Sequence, residues 1–141
     1  MRVFYVFKIK DEFKYLYQDS PSQLYNLLKQ IYYLGKDDIA YGENIFHQLV
    51  EPMDKELFDR KLFIKLHKEI PYSKRGDIHI MNNLYKDEVS RLLIKKTYMK
   101  IETESSFSSF FNYLSLLNDN LFACDFSYLD FFFLDKIKTL V

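Results

Sequence analysis

From Val3 to Ile9 the chain alternates, with Val3, Tyr5, Phe7 and Ile9 on one face and Phe4, Val6 and Lys8 on the other. Apolar side chains on both faces predict a central strand covered from two sides. Asp11 to Gln18 follows as a short helix, with Phe13, Leu16 and Tyr17 at i, i+3 and i+4. In Ser20-Pro21-Ser22-Gln23 the first serine can cap, the proline suits the first helical position and the glutamine completes a capping box. The helix beginning there aligns Leu24, Leu27, Leu28 and Ile31 toward a core, and Gly35 is a fitting stop. Asp38 to Val50 predicts another helix that buries Ile39, Ile45, Phe46 and Leu49, with Gly42 a weak position inside it. Pro52 breaks this helix, and Asp54 can cap a further one to about Lys68 through Leu57, Lys61, Ile64 and related positions.

Pro71 to Arg75 then reads as a loop. Asp77 to Asn82 and Thr97 to Thr103 alternate as strands, the second with Met99 and Ile101 opposite Tyr98, Lys100 and Glu102. Asp87 to Lys95 admits two readings: Val89, Leu92 and Leu93 fit a helix, whereas Leu92 to Ile94 fits the start of a hairpin. Ser105 or Ser106 can cap a last helix carrying Phe107, Phe110, Phe111, Leu114 and Leu117. Asn118-Asp119-Asn120 is a turn cluster, followed by strands at Leu121 to Phe126 and Phe131 to Leu134. Strands at both ends with helices between them predict an α/β or α+β fold, a sandwich in which a mixed β-sheet is packed by several helices. No repeat, low-complexity tract or linker divides it, so residues 1–141 are expected to form a single domain.

Composition narrows the function classes. Twenty Lys plus Arg against twenty Asp plus Glu give no net charge, which argues against a partner held mainly through phosphates. One cysteine, Cys124, excludes a disulfide scaffold and fits a reducing cytoplasm. Met1 to Lys8 is too short and too soon charged for a signal peptide. No uncharged run reaches the roughly 18–20 apolar residues of a membrane span. A cytoplasmic protein with no membrane association is therefore expected. Twelve Tyr and fourteen Phe stand beside no Trp, and Lys far outnumbers Arg. Such usage is what an AT-rich coding bias produces, so the aromatic load is not by itself a sign of function.

Candidate chemistry is sparse. His47, His67 and His79 lack the i, i+3 or i+4 spacing of a helical metal site, and no second cysteine joins them. Cys124 lies mid-strand among apolar residues, where an inert thiol is expected and not a nucleophile. The carboxylates are scattered, and there is no Gly-rich phosphate cradle. No catalytic residue, cofactor or metal is assigned on these grounds, and the protein reads as a non-enzyme. Lys55 to Lys100 is dense in base, but acids interleave with Arg60, Lys61, Lys65, Lys68, Lys74, Arg75, Lys95 and Lys96. That pattern favours a solvated mixed-charge face over a nucleic-acid groove. Phe13 and Tyr17, one helical turn apart, make either a core stripe, which the pattern alone favours, or a pair of interface anchors on a surface ridge.

The chain resembles the sporulation inhibitor of replication (SirA) family of endospore-forming Firmicutes. Arg2 and an aromatic strand are followed by Ile9-Lys10-Asp11-Glu12-Phe13 and then Tyr17; near the end, Phe110-Phe111 and a hydrophobic helix lead to Cys124-Asp125-Phe126. The similarity covers about residues 2–33 and 107–134, and the middle from Gly35 to Tyr98 aligns only loosely. Where the family carries a Trp-containing stretch, this chain has Phe131-Phe132-Phe133. The resemblance implies a monomeric inhibitor that binds the amino-terminal domain (domain I) of the initiator DnaA and stops new rounds of replication as sporulation begins. It implies no cofactor and no direct nucleic-acid contact. It assigns Phe13 and Tyr17 to the partner-binding face, with a second strip within Asn44 to Gln48, of which His47 and Gln48 are the expected contacts. A nucleic-acid-binding α/β module or a small enzyme of unrecognised type are the alternatives.

Overall fold

The alternating start of the chain becomes strand β1, Arg2–Lys8, held between β5 (Met99–Thr103) and β6 (Leu121–Asp125). The computed structural model describes residues 1–34 and 39–139. Strands β2 (Tyr72–Arg75), β3 (Ile78–Asn83), β4 (Glu88–Ile94) and β7 (Asp130–Phe133) complete a seven-stranded sheet of order β2-β3-β4-β5-β1-β6-β7. The fold is α+β, as expected, but every pairing is antiparallel and the sheet is not mixed. Short links join β2 through β5 in series and β6 to β7, and such links can only give antiparallel neighbours.

Helices cover both faces. Phe7 and Ile9 meet α1 (Asp11–Tyr17), α2 (Pro21–Tyr32) and α3 (Ile39–Leu49) on one side. Phe4 and Val6 meet α4 (Lys55–Leu66), α5 (Phe110–Leu117) and the closing 3₁₀ segment Leu134–Thr139 on the other. The doubly covered central strand read from Val3 to Ile9 is therefore present. Pro21 opens α2 as expected, but Ser20 makes no side-chain cap bond and the capping box does not close. The expected stop at Gly35 and start at Asp38 lie outside the described residues, as does the side chain of Ile39. Gly42 is more than a weak helix position, because the Leu34 side chain occupies the space its Cβ would need.

Three further expectations change and one open reading resolves to a strand. The stripe of Leu57, Lys61 and Ile64 faces outward on α4, and Phe58, Leu62 and Leu66 are buried instead. Asp54 does cap this helix, accepting from the Leu57 N–H at 3.2 Å. Pro71 to Arg75 is largely strand: Tyr72–Arg75 pairs with β3 across a turn in which Gly76 takes φ +56°. The ambiguous stretch is strand β4, with Ser90, Leu92 and Ile94 turned inward. The last helix starts at Phe110, not after Ser105 or Ser106, and Phe107 stays outside it.

Candidate protein-interaction face

Helix α1 is only seven residues long, too short to be stable alone, and is pinned from outside. Asp11 and Glu12 sit in its first turn, where the helix dipole favours acids. The Lys10 carbonyl accepts from Phe13 N at 3.0 Å and Lys14 N at 2.9 Å. Lys14 Nζ donates to Asp135 at 2.7 Å and to the Asp119 carbonyl at 2.5 Å, and the Asn120 amide donates to Asp11. Phe13 and Tyr17 are half-buried against the aromatic core beneath the helix, so the pair is shared between core and surface. Leu16, expected on their stripe, is turned out at 61% exposure beside Tyr15 at 79%. Glu12, Tyr15, Leu16 and Asp19, all exposed, form the outer row at i, i+3, i+4 and i+7. Sequence reasoning missed Tyr15; its signal was the flanking pair of acids one turn to either side.

The end of α3 is stitched to the start of α1. Lys10 N donates to the Leu49 carbonyl at 3.0 Å, Glu51 N donates to the Lys8 carbonyl at 2.8 Å, and Ile9 bridges Val50. Lys8 also pairs with Glu51 at 3.6 Å. Phe46 turns its ring edge-on to Phe7 at 5.7 Å, which orients the helix. Its neighbours His47 and Gln48 are left exposed in the last turn, and Asn44 is exposed one turn earlier. The four expected contacts thus lie on adjoining elements on one side of the sheet, two half-buried and two exposed.

No chemical centre accompanies this face among the residues singled out. Cys124 is buried and its thiol is pushed well above its ordinary range by burial, which leaves it protonated and unreactive. His79 is fully buried, with Nδ1 2.8 Å from the Tyr72 hydroxyl and Nε2 2.7 Å from Asp59. That chain of bonds fastens α4 to β2 and β3 on the opposite side of the sheet. His47 and His67 are exposed and far apart in sequence. Among the described residues no group of three or more His, Cys, Asp or Glu could hold a metal ion, and no helix is long and apolar enough to cross a membrane.

Comparison with known families bears on the whole of this arrangement. The family model for the sporulation inhibitor of replication protein SirA matches residues 2–138. The chain belongs to that family. No curated protein matches it. The SirA match runs through the middle from Gly35 to Tyr98, where the resemblance is loose, as well as through both ends. It also spans Phe131-Phe132-Phe133, whose rings alternate across β7. Phe131 stacks on Tyr25 at 4.6 Å and Phe133 meets Phe122 at 4.6 Å, while Phe132 meets Phe111 at 5.0 Å on the other face. Arg2, the first residue of the SirA match, closes the β6–β7 hairpin. It donates to Asp125 at 2.9 Å and Asp130 at 3.0 Å, with its guanidinium against the Phe4 and Tyr128 rings.

Proposed function

We propose that this protein blocks the initiation of chromosome replication during sporulation by binding domain I of the initiator DnaA through the face formed by α1 and the last turns of α3. Membership of the SirA family supports the inhibitory role. The observation that carries the choice of face is the stitching of Lys10 to Leu49 and Ile9 to Val50, which joins the end of α3, with His47 and Gln48 in its last turn, to the start of α1. Aromatic anchors on a rigid support, ringed by polar side chains, are what a small interface needs, since large rings bury much area for little lost entropy. Phe13 and Tyr17 contribute their free rims, Tyr15 and Leu16 add fully presented apolar area, and His47 and Gln48 supply polar contacts. The protein acts by occupancy as a cytoplasmic monomer, without cofactor, metal or catalytic step.

Calorimetric titration against folded DnaA domain I tests this reading. Saturable one-to-one binding is expected, weakened by about 2 kcal/mol in Tyr17→Ala, the scale of an interface hot spot. Gln48→Ala removes an exposed side chain, so its loss of affinity should come with an unchanged melting temperature. Absence of binding to folded domain I would remove the partner; full affinity in both variants would remove the face.

A further inference from the structure

Helix α4 carries apolar residues on both sides. Phe58, Leu62 and Leu66 fill the core, yet Leu57 and Ile64 stay on the outer side at 38% and 61% exposure. A surface helix ordinarily turns polar residues outward, so two large aliphatic side chains in one outward row need a reason. The same side carries Arg60, Lys61 and Lys65, with Lys68 in the turn that follows, all exposed. None of these four side chains has an ion pair or hydrogen bond among the described residues. Glu56 lies four residues before Arg60 and Glu69 four after Lys65, yet neither closes a pair. Lys55, by contrast, is half-buried and joined to Asp59 at 2.7 Å.

The spacing says what such a surface fits. Leu57 and Ile64 are seven residues apart, and Lys61 and Lys68 repeat the same interval beside them. An apolar row flanked by a charged row at a seven-residue interval is how one helix reads another. A nucleic-acid backbone would press its phosphates onto the aliphatic row and gain nothing from it. A bilayer needs a broad apolar face, and this row is narrow. We propose that the outer side of α4 docks an acidic amphipathic helix of a partner protein. The partner's apolar row lies on Leu57 and Ile64, and its carboxylates meet Arg60, Lys61, Lys65 and Lys68. The surface lies across the sheet from α1 and α3 and is independent of the reading given for them.

The test is calorimetric titration of the full chain with a three-heptad helical peptide bearing Leu at a and d and Glu at e and g. A second peptide with Lys in place of Glu is the control. The acidic peptide repels its own copies at neutral pH and is therefore free to pair. One-to-one binding of the acidic peptide is expected, at least tenfold weaker in Ile64→Asp and in the double variant Lys61→Glu/Lys68→Glu. The double variant should now prefer the basic peptide. All three substituted positions are exposed, so unchanged melting curves accompany these losses. The proposal fails if the acidic peptide does not bind, or binds the variants equally well. It also fails if a short DNA duplex or phosphatidylserine vesicles bind more tightly through the same residues, or if the variants instead abolish self-association of the chain.

Discussion

His79 holds its two bonds best as a neutral ring, donating from Nε2 to Asp59 and accepting the Tyr72 hydroxyl at Nδ1. Burial lowers its pKa below the ordinary histidine value, with Lys74 and Lys55 adding to the effect and Asp59 opposing it. The same burial, with the charge of Asp59, pushes Tyr72 up to about 12, so the phenol stays a donor. The unfolded chain takes up the histidine proton near pH 6.5, about the reference value, whereas the native chain resists it. Below that pH the unfolded state binds more protons, so stability falls as acid is added and is fully present above it. The melting temperature should drop between neutrality and about pH 5.5, just below the reference range. In His79→Gln, which keeps an amide donor toward Asp59 but does not titrate, the slope in that window should flatten. Circular dichroism melts across a pH series measure both.

At the scale of elements, helix α5 is capped from another strand. Its N-cap, Ser109, makes no side-chain cap bond, but the buried Glu88 carboxylate accepts from Ser109 N and Oγ at 3.0 Å each. Ser90 Oγ at 2.6 Å and Ser108 Oγ at 3.3 Å donate to the same oxygen. Glu88→Ala would remove the acceptor shared by these donors, with only Ser90 Oγ keeping a second acceptor in Thr103 Oγ1, and a loss of about 2–3 kcal/mol is expected. Glu88→Gln keeps one acceptor and should lose less, which urea unfolding of the two variants would check. This cap is also why the helix start was misread. Serines at 105 and 106 look like caps, but the start is fixed by Ser108, whose Oγ accepts from Phe110 N at 3.2 Å, and by Glu88, some twenty residues upstream. The inward glutamate likewise blurred the alternation of β4. In α4 the periodicity admitted two faces, and only the tertiary fit chose Phe58, Leu62 and Leu66 over Leu57 and Ile64. Strand β2 escaped notice because only Tyr72 among its four residues is buried; pairing with β3 makes it a strand.

Across the whole molecule, what was legible locally was the aromatic strand, the five helices and the spacing of Phe13 and Tyr17. The adjacency of α3 to α1 was not, because it rests on backbone bonds at Lys10 and Glu51 that no periodicity encodes. The position of β1 had the same obscurity. It precedes every other strand in the chain, yet it pairs through Val6 with Met99 on one side and Ala123 on the other. Closing such long loops precedes any reward from the contacts they bring, so refolding after dilution from urea should take milliseconds to seconds, a range about that of non-local β proteins. Stopped-flow fluorescence would measure it, and a chain cut after Asn118, which lacks β6, should remain unfolded by circular dichroism. The same geometry dictates an order of events on the ribosome. Phe4, Tyr5, Val6 and Phe7 emerge long before either flanking strand exists, so this sheet assembles only after most of the chain has been made. Until then this aromatic strand travels unpaired and open to chaperones or to aggregation.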